Sequence, residues 1–267
     1  MKKIIALVLA LLCLVALVSC GNQTDSKKIT VAASSTPHAE ILEQCVAPMK
    51  EKGYTLEVKV MDDYVTPNTA TENGDVTANY FQHTPYLEEF NAENGTHLVS
   101  VAKVHYEPYA IYAGTAKTLA DIPDGAAVAV PNDPTNEARA LLLLEANGLI
   151  KLKENAGLTA TKNDIVENPK NLEIKEMEAA LVPGVLNEVA IGVINGNYAL
   201  GAKLNIADAL GKEDAASTAA QTFANILVVK EGNENNEAVK ALVEILTSAK
   251  ISEYITNSYA GAVVPMK

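Results

Sequence analysis

Apolar and polar positions follow one another along the first half of the chain in units that predict a strand, a turn and a helix. Short apolar runs rich in β-branched residues predict strands at residues 29–33, 54–61, 76–81, 98–104 and 109–113. Apolar residues at helical spacing predict helices at residues 39–52, 69–73 and 85–94. Units of this kind, roughly 20 to 30 residues long, predict a mostly parallel sheet covered by helices.

The same rhythm begins again after Gly114 and predicts a second lobe. A short helix and turn come first, at residues 118–125. Further strands are predicted at residues 126–130, 172–176, 189–194 and 223–229. Helices are predicted after a proline-bounded turn as far as residue 148, and at residues 236–247 and 251–259. The pattern therefore predicts an α/β protein with two lobes.

The first 20 residues have the pattern of an export signal. Two lysines are followed by an unbroken apolar run at residues 4–18 and by small residues before Cys20. Because the run is shorter than the roughly 20 residues that a membrane-spanning helix needs, we expect residues 1–19 to be removed. The ending Leu-Val-Ser-Cys resembles a bacterial lipobox, which predicts a diacylglyceryl group on Cys20. Residues 20–28 would be the lipidated tether. A plain signal peptide that contains a cysteine is the alternative.

The chain is acidic and poor in cysteine. It has 21 Lys and Arg residues against 33 Asp and Glu residues. Removal of the signal would take two of those 21 residues and make the balance still more negative, which argues against nucleic acid as a partner. Because Cys13 lies in the signal and Cys20 in the lipobox, Cys45 has no partner for an intramolecular disulfide. With 48% apolar residues, the chain can instead be stabilised by a core.

Aromatic residues are concentrated between residues 79 and 90 of a chain that contains no tryptophan. Phe81, Tyr86 and two further aromatics lie where a predicted strand gives way to a helix, for which Thr84 is the predicted N-cap. In open α/β sheets, ligands bind beyond the carboxyl ends of strands, and His83 would offer a polar group among apolar walls there. The alternative is a local hydrophobic cluster with a satisfied histidine.

Arg139 is the only arginine in the chain, and it lies one turn inside the helix that follows Pro134. A planar guanidinium can hold a carboxylate through two parallel hydrogen bonds, which a lysine cannot imitate. Free N–H groups and the positive end of the helix dipole also favour an anion at this helix start. The pattern suits one bound carboxylate. An ordinary ion pair on the surface or between the lobes is the alternative.

Other polar side chains give weaker signals. Four asparagines lie at or beside predicted strand ends, where neutral amides could accept hydrogen bonds from an ammonium group or could form turns: Asn136, Asn195, Asn197 and Asn225. Four histidines are scattered without metal-ligand spacing: His38, His83, His97 and His105. The chain has no CxxC, HExxH, GxSxG, Walker or GxGxxG motif. We therefore predict no metal, no cofactor and no catalytic residue.

Five ordered motifs resemble those of the NlpA family of methionine-binding lipoproteins. They are DYVTPN at residues 63–68, ANYFQHTPYL at 78–87, VPNDPTN at 130–136, VENPKNL at 166–172 and VINGNYA at 193–199. The resemblance implies a two-lobe, periplasmic-binding-protein-like α/β fold with a ligand cleft between the lobes. Lobe 1 would comprise residues 29–113, with residues 230–267 returning to it, and lobe 2 would comprise residues 114–229.

The resemblance also implies a function and a set of site residues. The protein would be a lipid-anchored monomer on the extracytoplasmic face of the cell membrane, which captures L-methionine and passes it to the permease and ATPase of an ABC importer. Four residues would surround the thioether: Tyr64, Phe81, His83 and Tyr86. Arg139 and Asn136 would bind the α-carboxylate, and Asn195 and Asn225 the α-amino group. The chain departs from the family before Asn225, where residues 221–224 replace the usual proline and tyrosine.

Alternatives remain at this stage. The ligand could be D-methionine or a methionine-containing dipeptide. A protein of another class, an extracytoplasmic hydrolase that uses His83 and a carboxylate, could share the fold. A lipoprotein adhesin with a vestigial cleft is a third possibility.

Overall fold

The computed structural model describes residues 27–215 and 221–266, so the predicted signal, Cys20 and most of the tether lie outside the described residues. Its strands are β1 (Lys28–Ala33), β2 (Thr55–Val60), β3 (Ala78–His83), β4 (Leu98–Tyr106), β5 (Ala110–Ala113), β6 (Ala127–Pro131), β7 (Lys151–Leu152), β8 (Ile165–Glu167), β9 (Glu173–Met177), β10 (Ile191–Ile194), β11 (Gly211–Lys212), β12 (Asn225–Lys230) and β13 (Val264–Pro265). Its helices are α1 (Glu40–Glu51), α2 (Thr66–Asn73), α3 (Thr84–Asn94), α4 (Pro134–Ala146), α5 (Gly196–Gly201), α6 (Glu237–Leu246) and α7 (Ala249–Ser258). Short π or 3₁₀ turns occur at Ser35–Ala39, Gly157–Thr159, Lys162–Asp164, Ala179–Val185 and Ile206–Asp208.

The first lobe is built on a six-stranded sheet with the order β13–β4–β12–β3–β1–β2. Strand β1 runs parallel to β2 and β3, whereas β12 runs antiparallel to β3 and β4. Helix α1 packs on β2 and on the C-terminal helices α6 and α7. The apolar faces of these elements meet in a core that contains Ile41, Leu42 and Leu242, and the free thiol of Cys45 is buried in it.

The second lobe has a five-stranded sheet with the order β11–β5–β10–β6–β9. Strand β6 runs parallel to β9 and β10, and β5 runs antiparallel to β10 and β11. Helix α4 lies against β6, and its residues Leu141 and Leu144 are fully buried. Strands β7 and β8 form a separate antiparallel pair.

The predicted α/β class and two-lobe organisation are confirmed, but both sheets are mixed and not mostly parallel. Strands β5 and β12 pair in antiparallel orientation, and an apolar run of four to six residues does not reveal the direction in which it will pair. The predicted short helix at residues 118–125 is also wrong, since these residues form turns. Pro123 and Gly125 favour turns over a helix.

Two strands lie in sheets other than those implied by the predicted lobe limits. Strand β5 was expected to close lobe 1, residues 29–113, but it pairs in the second sheet. Strand β12 was expected within lobe 2, residues 114–229, but it pairs in the first sheet. Both strands are mostly apolar and almost wholly buried, so their sequences do not indicate which sheet they join.

The chain crosses between the sheets at two places. Residues 107–109 connect β4 to β5, and a longer segment leads from β11 back to β12. Strand β4 ends at Tyr106 and β5 begins at Ala110, so the first crossing is short and direct. The end of β3, the start of β12 and the start of α4 lie near the first crossing, because His83, Asn225 and Asn136 line one cavity with Glu107.

Candidate ligand-binding site

The structure places all eight predicted ligand-binding residues around one cavity between the two sheets. The first lobe contributes Tyr64, Phe81, His83, Tyr86 and Asn225, and the second contributes Asn136, Arg139 and Asn195. The cavity holds about 350 Å³ of space that no atom fills, although its walls are so close that only about 20 Å³ admits the centre of a water molecule. A ligand the size of an amino acid therefore requires the opposing walls to move apart.

One wall of the cavity is aromatic and is formed at the predicted junction of a strand and a helix. The ring centroids of Tyr64 and Phe81 are 5.8 Å apart, and those of Tyr64 and Tyr86 are 5.7 Å apart. The hydroxyl of Tyr86 donates to the backbone oxygen of Tyr64 at 2.7 Å, and the hydroxyl of Tyr64 donates to Asn197 Oδ1 across the cleft at 2.7 Å. These contacts fix the rings and join the two lobes.

His83 has a structural role that the sequence did not predict. Helix α3 begins at Thr84, so His83 is its N-cap in place of the predicted Thr84. Its Nδ1 accepts from the backbone N–H of Tyr86 at 3.3 Å, which leaves Nε2 protonated and facing Asn136 Oδ1 at 3.3 Å. Burial, together with the charge of Arg139, lowers the pKa of His83 to about 3, so the imidazole is neutral.

This geometry does not support the alternative of a hydrolase that uses His83. Its Nδ1 lone pair is used by the helix cap, and its Nε2 proton points to an amide oxygen. A general base needs a free lone pair near the proton that it removes. His83 is therefore suited to hydrogen bonding and to packing.

The amide side chains on the opposite wall form a connected group. Asn195 Nδ2 donates to Asn136 Oδ1 at 2.9 Å, and Asn136 Nδ2 donates to Asp133 Oδ1 at 2.8 Å. Asp133 is the N-cap of α4 and also accepts from the backbone N–H of Asn136 at 3.0 Å. The start of this helix thus fixes the Asn136 side chain at the cavity wall.

Arg139 faces the cavity but is also held in a buried ion pair. Its Nε donates to Glu213 Oε1 at 2.8 Å, and its Nη2 donates to Glu213 Oε2 at 2.6 Å and to the backbone oxygen of Glu107 at 3.0 Å. The ring centroids of Phe223 and Tyr109 lie 4.2 and 4.7 Å from the guanidinium carbon. Among the described residues, Nη1 makes no hydrogen bond. The ion pair that the sequence left as an alternative is therefore present, and it uses only part of the guanidinium.

Four further residues line the cavity: Gln82, Glu107, Gly196 and Asn197. Of these, the sequence singled out only Asn197, as an amide that could bind an ammonium group or form a turn. Glu107 is the main omission, because it is a carboxyl group that is only 6% exposed. It lies on the short crossing between the lobes, where periodicity gives no signal. Its position two residues after His105, beside Pro108, is the only local indication.

Two histidines that are far apart in the sequence meet beneath the cavity floor. His105 Nε2 lies 2.7 Å from Glu107 Oε1, and His38 Nε2 lies 2.9 Å from Asn225 Oδ1. The hydroxyl of Tyr80 hydrogen-bonds the other ring nitrogen of His105. Burial lowers the pKa of His38 to about 4 and that of His105 to about 3, so both rings are neutral near pH 7.

In the described part of the chain, His38, His105 and Glu107 form a group that could hold a metal ion, with ligand atoms all within 4.8 Å of one another. This corrects the expectation that the histidines are scattered. The hydrogen bonds to Asn225 and Glu107 already use the facing Nε2 atoms, so an ion would have to break them. The geometry is that of a buried hydrogen-bond network, in which His38 Nδ1 is left without a partner among the described residues.

Comparisons with known proteins agree with the fold. The family model described as NlpA lipoprotein matches residues 29–267. A relative from Bacillus subtilis, methionine-binding lipoprotein MetQ, is 43% identical over 100% of this chain and 99% of its own. The structure of a predicted lipoprotein from Ruminococcus gnavus is 58% identical, with a TM-score of 0.89 over 90% of this chain and 100% of its own.

A third comparison includes a ligand. The structure of a nutrient-binding protein from Burkholderia cenocepacia bound to methionine is 40% identical, with a TM-score of 0.84 over 90% of this chain and 100% of its own. These matches confirm the predicted two-lobe fold. Across residues 27–215 and 221–266, none of the helices is both long enough and apolar enough to cross a membrane. The match to the family model and the extent of these identities show that the chain belongs to the NlpA lipoprotein family.

Proposed function

We propose that this protein binds methionine in the cavity between its lobes and delivers it unchanged to the permease of an ABC importer. The observation that carries the proposal is the pairing of an aromatic wall with an arginine across one cavity. A free amino acid with an apolar side chain needs both an apolar surface and full satisfaction of its charges. The B. subtilis relative is named as a methionine-binding lipoprotein, and the B. cenocepacia neighbour holds methionine.

The site suggests one orientation for the ligand. The thioether would lie against the rings of Tyr64, Phe81 and Tyr86, where each contact of sulfur with a ring contributes about 0.3 to 1.5 kcal/mol. The α-carboxylate would accept from Arg139 Nη1 and lie near Asn136. Asn195 and Asn225 would then reach the α-amino group.

Capture would occur by closure of the lobes. Hydrogen bonds already link the lobes across the cleft, from Tyr64 to Asn197 and from the Tyr198 hydroxyl to the backbone oxygen of Asp62 at 2.8 Å. The narrow cavity requires these links to open for entry. A ligand that contacts both walls favours the closed form by its differential affinity for the two forms. The lipid on Cys20 would keep the protein at the extracytoplasmic face of the membrane, near the permease and ATPase.

Calorimetric titration tests the proposal. The protein is stripped of small molecules by unfolding and refolding and is then titrated with L-methionine, D-methionine and glycyl-methionine. We expect one site per chain, with L-methionine bound most tightly and recovered unchanged. Equal or tighter binding of the D-enantiomer or the dipeptide would reassign the ligand, and no heat with any of the three would contradict the proposal.

Arg139→Lys is the matched test of the site itself. Lysine keeps the charge but loses the planar set of donors, so we expect methionine affinity to fall by about 30-fold or more. Lys240→Gln, which changes an exposed residue of α6, should bind as the wild type does. Unchanged affinity in a folded Arg139→Lys protein would remove Arg139 from the site.

A further inference from the structure

A buried carboxyl group at the cavity wall, that of Glu107, forms no ion pair with a lysine or arginine side chain among the described residues. Glu107 approaches only two basic groups, His105 Nε2 at 2.7 Å and His38 Nε2 at 3.6 Å. Both rings are buried and neutral near pH 7. Burial raises the pKa of the Glu107 carboxyl, because a buried charge is costly, so a ligand that brings a positive charge would stabilise its ionised form.

The nearby arginine supplies that charge only in part: it lowers the pKa of Glu107, but by less than burial raises it. Arg139 donates to the backbone oxygen of Glu107 and not to its carboxylate. Its own charge is balanced by Glu213 through two hydrogen bonds of 2.6 and 2.8 Å. Of the charged side chains that line the cavity, Arg139 is therefore paired within the protein, whereas Glu107 has no ion-pair partner that is charged near pH 7 among the described residues.

A second observation points to a donor on the ligand. Asn195 Oδ1 is buried at the cavity wall and has no hydrogen-bond partner among the described residues, because the Asn195 amide uses only its Nδ2 towards Asn136. A buried acceptor of this kind normally has a partner. Glu107 and Asn195 thus present two acceptors to one cavity, and an ammonium group has three N–H donors to offer.

Other contacts fix the orientation of these acceptors. Since a carboxylate only accepts, His105 Nε2 must donate to Glu107, and Tyr80 serves the opposite ring nitrogen. Gly196 packs directly on the same carboxyl group. A Cβ atom at Gly196 would lie 2.6 Å from Glu107 Oε2, so only glycine leaves room for this side chain. The carboxylate is held in place before it meets a ligand.

We infer that Glu107 is the counter-ion of the ligand's α-ammonium group, with Asn195 Oδ1 as a second acceptor, and that this pair selects amino acids over hydroxy acids with the same side chain. The inference rests on the proposed function and adds a specificity-determining residue to it. Glu107 would then be the negatively charged partner of the α-ammonium group, in addition to the neutral amides of Asn195 and Asn225.

The test compares two ligands that differ only at the α-position: L-methionine and 2-hydroxy-4-(methylthio)butanoate. In the wild type, we expect methionine to bind about 30-fold or more tightly, because the hydroxy acid leaves Glu107 without a cation. In Glu107→Gln, which keeps the shape and removes the charge, methionine should lose most of this advantage, whereas the affinity for the hydroxy acid should change far less. Loss of both affinities by the same factor, or unchanged methionine binding, would overturn the inference.

Two further measurements separate the possible failures. Arg139→Lys should weaken both ligands, because both carry the carboxylate, whereas the exposed Glu188→Gln should weaken neither. If Glu107→Gln does not fold, the two wild-type affinities still test the inference, since equal affinity for methionine and the hydroxy acid would exclude a counter-ion for the α-ammonium group. If the wild type binds neither ligand, the proposed function fails, and this inference fails with it. If it binds methionine and the preference survives in folded Glu107→Gln, only the inference fails.

Discussion

At the scale of single residues, the charge of Arg139 is already balanced within the protein. Burial opposes that charge, but the Glu213 carboxylate outweighs the effect and raises the pKa of Arg139. Burial would likewise raise the pKa of Glu213, but Arg139 lowers it overall. Arg139 therefore provides a ligand carboxylate mainly with positioned N–H donors, since its charge is already paired with Glu213. This explains why we expect Arg139→Lys, which keeps the charge, to lose affinity.

The buried histidines make the stability of the protein depend on pH. The folded pKa of His38 is about 4, whereas its ordinary value is 6.5. Below pH 6.5 the unfolded chain binds a proton that the folded protein rejects, so this stability is present above pH 6.5 and is lost as the pH falls towards 4. Between pH 7 and pH 5, His38 alone should account for about 2 kcal/mol of lost stability.

Urea denaturation at the two pH values measures this contribution. The stability of His38→Gln should fall by about 2 kcal/mol less than that of the wild type between pH 7 and pH 5. His97→Gln is the matched control, because the His97 side chain is 67% exposed, and it should follow the wild type. Equal losses in the wild type and in His38→Gln would show that His38 is not a buried neutral group.

The residues that the sequence could and could not predict differ in a physical way. Arg139 and Phe81 were predicted because a rare residue type and an aromatic run stand out in one dimension. Glu107 was missed because its significance comes from His38, which lies 69 positions away in the sequence and reaches it only through the fold. The ion pair between Arg139 and Glu213 depends in the same way on a contact between distant segments.

At the scale of elements, strand ends and helix starts deliver the side chains to the cavity. Strand β3 ends at His83 and β12 begins at Asn225, and these two residues are paired in the antiparallel register. The start of α4 brings Asn136 and Arg139 from the other lobe. Turn residues and prolines marked most of these ends in the sequence, so the elements were predicted well. The sheet that each strand joins was not, because sheet membership depends on pairing with distant segments.

The cap of α4 links the stability of this helix to ligand binding. In Asp133→Ala, the backbone N–H and the amide of Asn136 both lose their acceptor. We expect a loss of about 1 kcal/mol of stability and a clear fall in methionine affinity, since Asn136 is no longer fixed at the cavity wall.

Asn236→Ala is the matched control for this cap. Asn236 caps α6 by accepting from the backbone N–H groups of Ala238 and Val239, far from the residues that line the cavity. It should cost about the same stability and leave methionine affinity unchanged. Thermal melts and calorimetry measure both effects. If the two variants lose affinity equally, the Asp133 cap has no particular role in the site.

At the scale of the whole molecule, the two crossings between the sheets lie beside the cavity. Glu107 is on one crossing, and Glu213 lies just after β11 at the start of the other. Arg139 bonds to both of these residues, so it ties the two connections to α4. The connections that would bend when the lobes move therefore lie close to the groups that would contact the ligand. The sequence indicated two lobes but placed the first crossing after β5, because β5 resembles the strands before it.

The proposed membrane attachment makes a prediction about Cys20, which is outside the described residues. Cys20→Ser should abolish incorporation of labelled fatty acid and release the protein from membranes, because the thiol is the acylated group. Cys45→Ser is the matched control, since Cys45 is buried in the core of the first lobe, and it should still be labelled. Continued labelling of Cys20→Ser would contradict the assignment.

Locating the ligand's chalcogen atom would show directly whether the methionine side chain lies against the aromatic wall. Crystals of the protein, with its own methionines containing sulfur, are grown with free L-selenomethionine, and anomalous scattering from selenium is measured. We predict one selenium peak per chain at about 5 Å from the rings of Tyr64, Phe81 and Tyr86, which is the usual distance for such contacts. A selenium peak outside this aromatic wall, or no peak at saturating ligand, would contradict the account.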